Sequence, residues 1–148
     1  AKLDPDGIYN YMYELHSSIN QRLMIAEINT AYRPELVIMD AIEGFSAGGP
    51  ESGTMIEPGI MMASNDRVAL DACGVAILRM YGTTPEVSRG AIFEQEQIAR
   101  AVQLDLGASR PEQIDVIPVN DGSKNICESI SAELLRKVEP GILPPSGR

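Results

Sequence analysis

The sequence predicts an α/β domain, layered, with a small, mostly parallel or mixed sheet flanked by helices. Two short apolar runs, Leu36-Val37-Ile38-Met39 and Ile60-Met61-Met62-Ala63, have the length and continuity of strands covered on both faces. These runs alternate with longer stretches of helical periodicity, and strands separated by helices favour layered packing. Residues 34–74 also place an acid after each run, Asp40 and Asp66, with Gly48, Gly49 and Gly53 between them. Strands lying side by side in the same sense would aim both acids toward one end of the sheet.

Taken in order, residues 5–30 read as helix with a break near Ser17–Ser18. Ile8, Met12, Leu15, Ile19, Leu23 and Ala26 recur at spacings of three and four on one face. Pro5 suits a first helical turn, and His16, the single histidine, falls on the helix surface or half-buried. Arg33–Pro34 ends the helix, because the residue before a proline is pushed out of helical angles. The first strand follows, then a glycine-rich loop over 41–57, long enough to be functional if ordered, then the second strand.

Ser64, Asn65 and Asp66 all suit a helix start, and helix 66–81 is apolar nearly all round, as a buried helix is. Gly82 stops it in the glycine position that follows a helix end. Residues 83–90 turn, and helix 91–106 presents Ile92, Gln95, Ala99, Val102 and Leu106 before Gly107 ends it. Residues 114–117 read as a third short strand, at an edge because Pro118 follows. A last helix over 124–138 carries Cys127, Ile130, Leu134 and Val138, and 140–148 reads as an extended or disordered tail. Residues 1–139 are expected to form one domain, cut from or ending a longer protein.

Composition narrows the function. A net charge of -9, with no basic run longer than two residues, argues against binding a phosphate backbone. No apolar run approaches the roughly 20 residues needed to span a bilayer, and no signal-peptide pattern opens the chain. The expected setting is the cytoplasm. Cys73 and Cys127 with one histidine cannot assemble a zinc finger or an iron–sulfur cluster. Cys73, inside an apolar helix pattern, reads as a buried free thiol.

Several residues invite chemical roles. Glycines 44–53 would let backbone amides approach an anion, but no P-loop pattern is present and Glu43, Glu51 and Glu57 repel a bare phosphate. Asp40, Glu43 and Asp66 together would suit Mg²⁺ or Mn²⁺, while singly Asp66 would cap its helix and Asp40 would accept loop amides. Asp71 sits among apolar residues, where an unpaired charge would cost several kcal/mol. Arg67, one turn earlier, is its obvious partner; if the helix is buried, Asp71 would instead hold the long loop. Met55, Met61 and Met62 read as core fill. Ser46, Ser52 and Ser64 lack the partners of a nucleophilic triad.

The runs RPELVIMDAIEGFSAGGPESG and GIMMASNDRVALDACGVAIL resemble the carboxy-terminal half of the DUF362 family. The matching positions are Arg33, Pro34, Asp40, Gly48, Gly49, Pro50, Gly53, Ser64, Asp66, Ala69 and Asp71, and the resemblance spans about residues 16–117. Absent here are a ferredoxin-type cysteine run and the family's usual amino-terminal half. The resemblance implies an iron–sulfur or redox partner carried elsewhere. The leading expectation is therefore a DUF362-like domain that binds a small ligand or hard metal through Asp40, Gly48, Gly49, Gly53, Ser64, Asp66 and Asp71. The alternatives are a structural or oligomerisation domain, with homo-oligomer contacts, and a metal-dependent hydrolase or transferase.

Overall fold

The computed structural model describes residues 11–49 and 51–136. Its elements are α1 (Tyr11–Ser17), α2 (Gln21–Ile28), β1 (Val37–Ala41), β2 (Gly44–Gly48), β3 (Gly53–Ile56), β4 (Ile60–Ser64), α3 (Arg67–Met80), α4 (Pro85–Ser88), α5 (Glu96–Gln103) and α6 (Lys124–Leu134). Single 3-10 turns join several of these, among them Asn29–Ala31 after α2 and Ile92–Glu94 before α5.

The layered α/β class holds, but the strands pair antiparallel. β1 lies against β4 with Val37 opposite Ser64 and Ala41 opposite Ile60. β2 and β3 form a separate hairpin. The stretch 41–57, expected as a structureless loop, is therefore largely a β-hairpin, and it returns the chain beside β1 in the opposite sense. A helical crossover, which parallel pairing would require, does not intervene.

The core is organised on α3. Val68, Leu70, Ala72, Cys73, Ala76 and Ile77 are all buried, as its all-round apolar composition demands. One side of α3 meets β1 and β4; α5 and α6 pack on the others, bringing the fully enclosed Ile98 and Ile130. At roughly 25 cal/mol per Å² of apolar surface, enclosing a side chain of that size stabilises by about 1.5–3 kcal/mol. Tyr81 ends α3 and Gly82 follows in the left-handed region at φ 80°, as expected of a glycine there.

Other boundaries moved. The break between α1 and α2 falls where Ser17–Ser18 suggested it, but it puts Ile19 into solvent rather than on the apolar stripe. The helix expected over 91–106 stops at Gln103, and Asp105 (φ 54°), not Gly107, takes the left-handed turn. Residues 114–117 are extended yet pair with no strand among the described residues. Met55 and Met61 are exposed, and only Met62 of the three methionines packs on the core. The start of the first helix, Pro50, Val138 and the 140–148 tail lie outside the described residues.

Candidate functional site

Asp71 sits on α3 between buried neighbours, with its carboxylate turned to the seam between α5 and the sheet. Gln97 of α5 donates from Nε2 to Oδ2 at 3.1 Å and is its one hydrogen-bond partner among the described residues. Burial raises the Asp71 pKa above the usual carboxylate value, and the Gln97 bond opposes that only in part. Arg67, the partner suggested by spacing, points away. Its guanidinium donates to the carbonyl oxygens of Asn29 (2.6 Å) and Tyr32 (2.9 Å) and lies over the Tyr32 ring at 5.4 Å. Two backbone carbonyls and an aromatic face satisfy the cation without Asp71. Nor does Asp71 hold the hairpin backbone; its bond goes to a side chain of α5.

Two cavities meet at Asp71. One, of about 260 Å³, lies beneath the β2–β3 hairpin and is lined mainly by apolar groups, including Phe45, Ile56 and Val75, with Asp40, Glu43 and Asp71 as its acids. The other, about 180 Å³, opens toward α2 and α5 and carries Asn29, Arg67 and Gln97 beside Asp71. Asp40 also accepts the amide of Ile42 through Oδ1 at 3.0 Å, which turns the chain out of β1 and toward Glu43.

Asp66 and Ser64 stand elsewhere. Asp66 caps α3, with Oδ1 accepting the amides of Val68 (2.8 Å) and Ala69 (2.9 Å). Its Oδ2 accepts the amide of Ala108 at 2.7 Å, tying the chain after α5 to the start of α3. Ser64 Oγ accepts the Asp66 amide at 2.9 Å. Convergence of Asp40 with Asp66 required strands running in the same sense. In the observed register Met61 faces Asp40, and Asp66 lies five residues farther along, roughly 16 Å at 3.3 Å per residue. The sheet thus gathers Asp40 and Glu43 with Asp71 and leaves Asp66 at its opposite end. Among the described residues no group of three or more His, Cys, Asp or Glu is placed to hold a metal ion.

The glycines close the hairpin tip. Gly48 and Gly49 have φ of 80° and 90°, and the Gly49 amide donates to Ser52 O at 2.6 Å. A Cβ on Gly53 would lie 2.9 Å from the Gly49 nitrogen and 2.9 Å from a Phe45 ring carbon. This turn needs residues without side chains, a requirement local to its own backbone. A bulge at Ser46 buries that residue, and Thr83 donates its hydroxyl to the Ser46 carbonyl, which fastens the hairpin to the end of α3.

Gln97 and Phe45 were not singled out by sequence. Gln97 reads as an ordinary polar residue of an amphipathic helix, and nothing local reveals that it meets an acid 26 positions away. Phe45 had one available signal: an aromatic residue within a run of small residues marks a strand rather than a loop. Cys73 and Cys127 are both free thiols, and among the described residues no helix is long and apolar enough to cross a membrane.

The family model for DUF362, a domain of unknown function, matches residues 7–76, so the resemblance read from the sequence holds over that segment, through most of α3. No curated protein and no solved structure matches the chain.

Proposed function

On the DUF362 segment that carries Asp40, Glu43 and Asp71, we propose that the domain binds a small organic ligand with an apolar body and a cationic or hydrogen-bond-donating head. The observation that carries this reading is the 260 Å³ cavity beneath the hairpin, apolar over most of its lining, with three acids and no base among the residues around it. Apolar walls with a few placed polar groups are the usual make-up of small-molecule sites. Asp71 would be the inner anchor, pre-oriented by Gln97, while the exposed Asp40 and Glu43 would meet the head group near the mouth. A hard metal fits less well, because such ions take six or more oxygen ligands in close array and Asp66 is committed to α3. The redox partner implied by the resemblance would be the user of the bound ligand. We infer a cytoplasmic setting, with which two free thiols agree.

A thermal-shift screen with small amines, nucleotides, flavins, Mg²⁺ and Mn²⁺ tests the proposal, since a ligand that binds only the folded state raises the midpoint by mass action. The expected result is stabilisation by a compound bearing an amine, lost in Asp40→Asn combined with Glu43→Gln. Stabilisation by Mg²⁺ or Mn²⁺ alone, abolished by the same substitutions, would replace this reading with the metal one.

A further inference from the structure

Away from that cavity, an apolar groove of about 440 Å³ runs alongside β4. All five residues of β4 line it, but only Ile38 does so from β1, so the groove runs along the edge of β4 that β1 leaves open. Leu70 and Cys73 of α3 and Ile130 of α6 form its floor. Its far wall is formed by residues 114–117 together with Val119, where the chain bends.

Two strand-like backbones therefore flank one groove, and among the described residues neither has a partner across it. Among the described residues β4 is hydrogen-bonded to β1 alone, and residues 115–118 make no backbone hydrogen bond. The segment 114–117 alternates in burial as a strand does, with Ile114 and Val116 turned in and Asp115 and Ile117 turned out. Exposed strand edges are templates for pairing with another chain. We propose that this groove receives an extended segment of a partner polypeptide. It would hydrogen-bond to β4 on one side and to 114–117 on the other, completing a four-stranded sheet.

The lining dictates the chemistry of that segment. One face of the inserted strand would meet the apolar floor and the other would meet solvent, which calls for alternating apolar and polar residues over about five positions. Asp115 is the single charged residue of the lining, and the whole chain carries -9, so basic flanks are favoured. A second copy of the chain fits poorly. It brings another -9, and a five-residue edge buries far less than the roughly 1,600 Å² of a stable interface between two folded proteins.

The test is amide hydrogen exchange of the whole chain with the synthetic peptide Lys-Val-Thr-Val-Thr-Val-Lys. Versions N-methylated at alternate residues, each lacking the donors of one edge, serve as controls. The expected result is that the parent peptide slows exchange within residues 60–64 and 114–117 by about tenfold or more, and that each methylated version loses protection on one side. Met61→Lys and Ile117→Lys, at exposed positions outside the core, should weaken the effect. Equal protection by the methylated peptides, no protection at the solubility limit, or no effect of both substitutions would overturn the proposal. So would protection, in the chain alone, of the β4 amides that face away from β1, whether as a dimer in sedimentation, which assigns the groove to a second copy, or as a monomer, which assigns it to the chain's own residues.

Discussion

The carboxylate of Asp66 occupies the space that a Cβ on residue 107 would need, and Gly107 leaves it that room. Oδ2 thereby reaches the amide of Ala108 at 2.7 Å while Oδ1 caps α3. One side chain thus joins the start of the central helix to the chain leaving α5. Asp66→Ala should cost about 2–3 kcal/mol in urea unfolding, the sum of a lost cap and a lost charged hydrogen bond. Gly107→Ala alone should cost about 1–3 kcal/mol through the collision. In the double variant the collision is gone, so the two costs should sum to more than the measured total. Additive costs would show that the two residues do not meet as described.

Asp71→Asn tests the buried carboxyl. Its folded pKa is raised above the unfolded value, so the stability linked to its proton is fully present below the unfolded pKa and lost as pH rises through the folded one. As pH rises through the folded pKa the buried group takes on its charge at a cost, which an amide bonded to Gln97 avoids. The variant should melt a few degrees above the wild type at pH 7, with the advantage shrinking toward pH 3. A variant less stable than the wild type at both pH values would contradict the assignment.

The two cysteines should differ sharply toward thiol reagents. Burial pushes the Cys73 thiol up to about 11, with a smaller push from Cys127, and its surface is almost wholly covered. At pH 8 only roughly one Cys73 in a thousand would be thiolate. Mass spectrometry after brief alkylation of the folded chain should find the label on Cys127, and on both residues only in denaturant.

Arg79 and Glu133 make a buried ion pair that joins α3 to α6. Their side chains are 3% and 11% exposed, yet the closest approach is 4.0 Å, and Glu133 Oε1 has no hydrogen bond. Arg79 spends its donors on the carbonyls of Val87 (2.8 Å) and Arg89 (3.0 Å). Removing Arg79 strands those two carbonyls and leaves Glu133 with only the more exposed Arg136, which donates to Oε2 at 3.2 Å, so Arg79→Met should cost about 2–3 kcal/mol in urea unfolding. Arg79→Met with Glu133→Leu should recover part of that, because no charge is then left buried.

Local signals were legible where local chemistry governs. The two apolar runs became β1 and β4, the all-round apolar stretch became buried α3, and Gly82 and Asp66 took the end and cap positions that their chemistry suits. Legibility failed where a residue's role depends on a distant contact. Gly107 looked like a helix stop, but Asp105 makes that turn and Gly107 accommodates an acid 41 positions earlier. The Ile114–Ile117 run has strand chemistry without a paired strand, because hydrogen bonding requires a neighbour that local sequence does not supply.

By itself, the sequence determined the class of the fold, its central helix, and the positions at which acids would stand near strand ends. The tertiary structure alone decided that β1 and β4 run in opposite senses. The continuous apolar runs favoured strands covered on both faces, as in parallel sheets, yet β1 and β4 alternate in burial with Ile38 and Met61 exposed, so the runs misled about the sense. That single choice brings Asp40 and Glu43 to the cavity of Asp71 and sends Asp66 to the far end of the sheet.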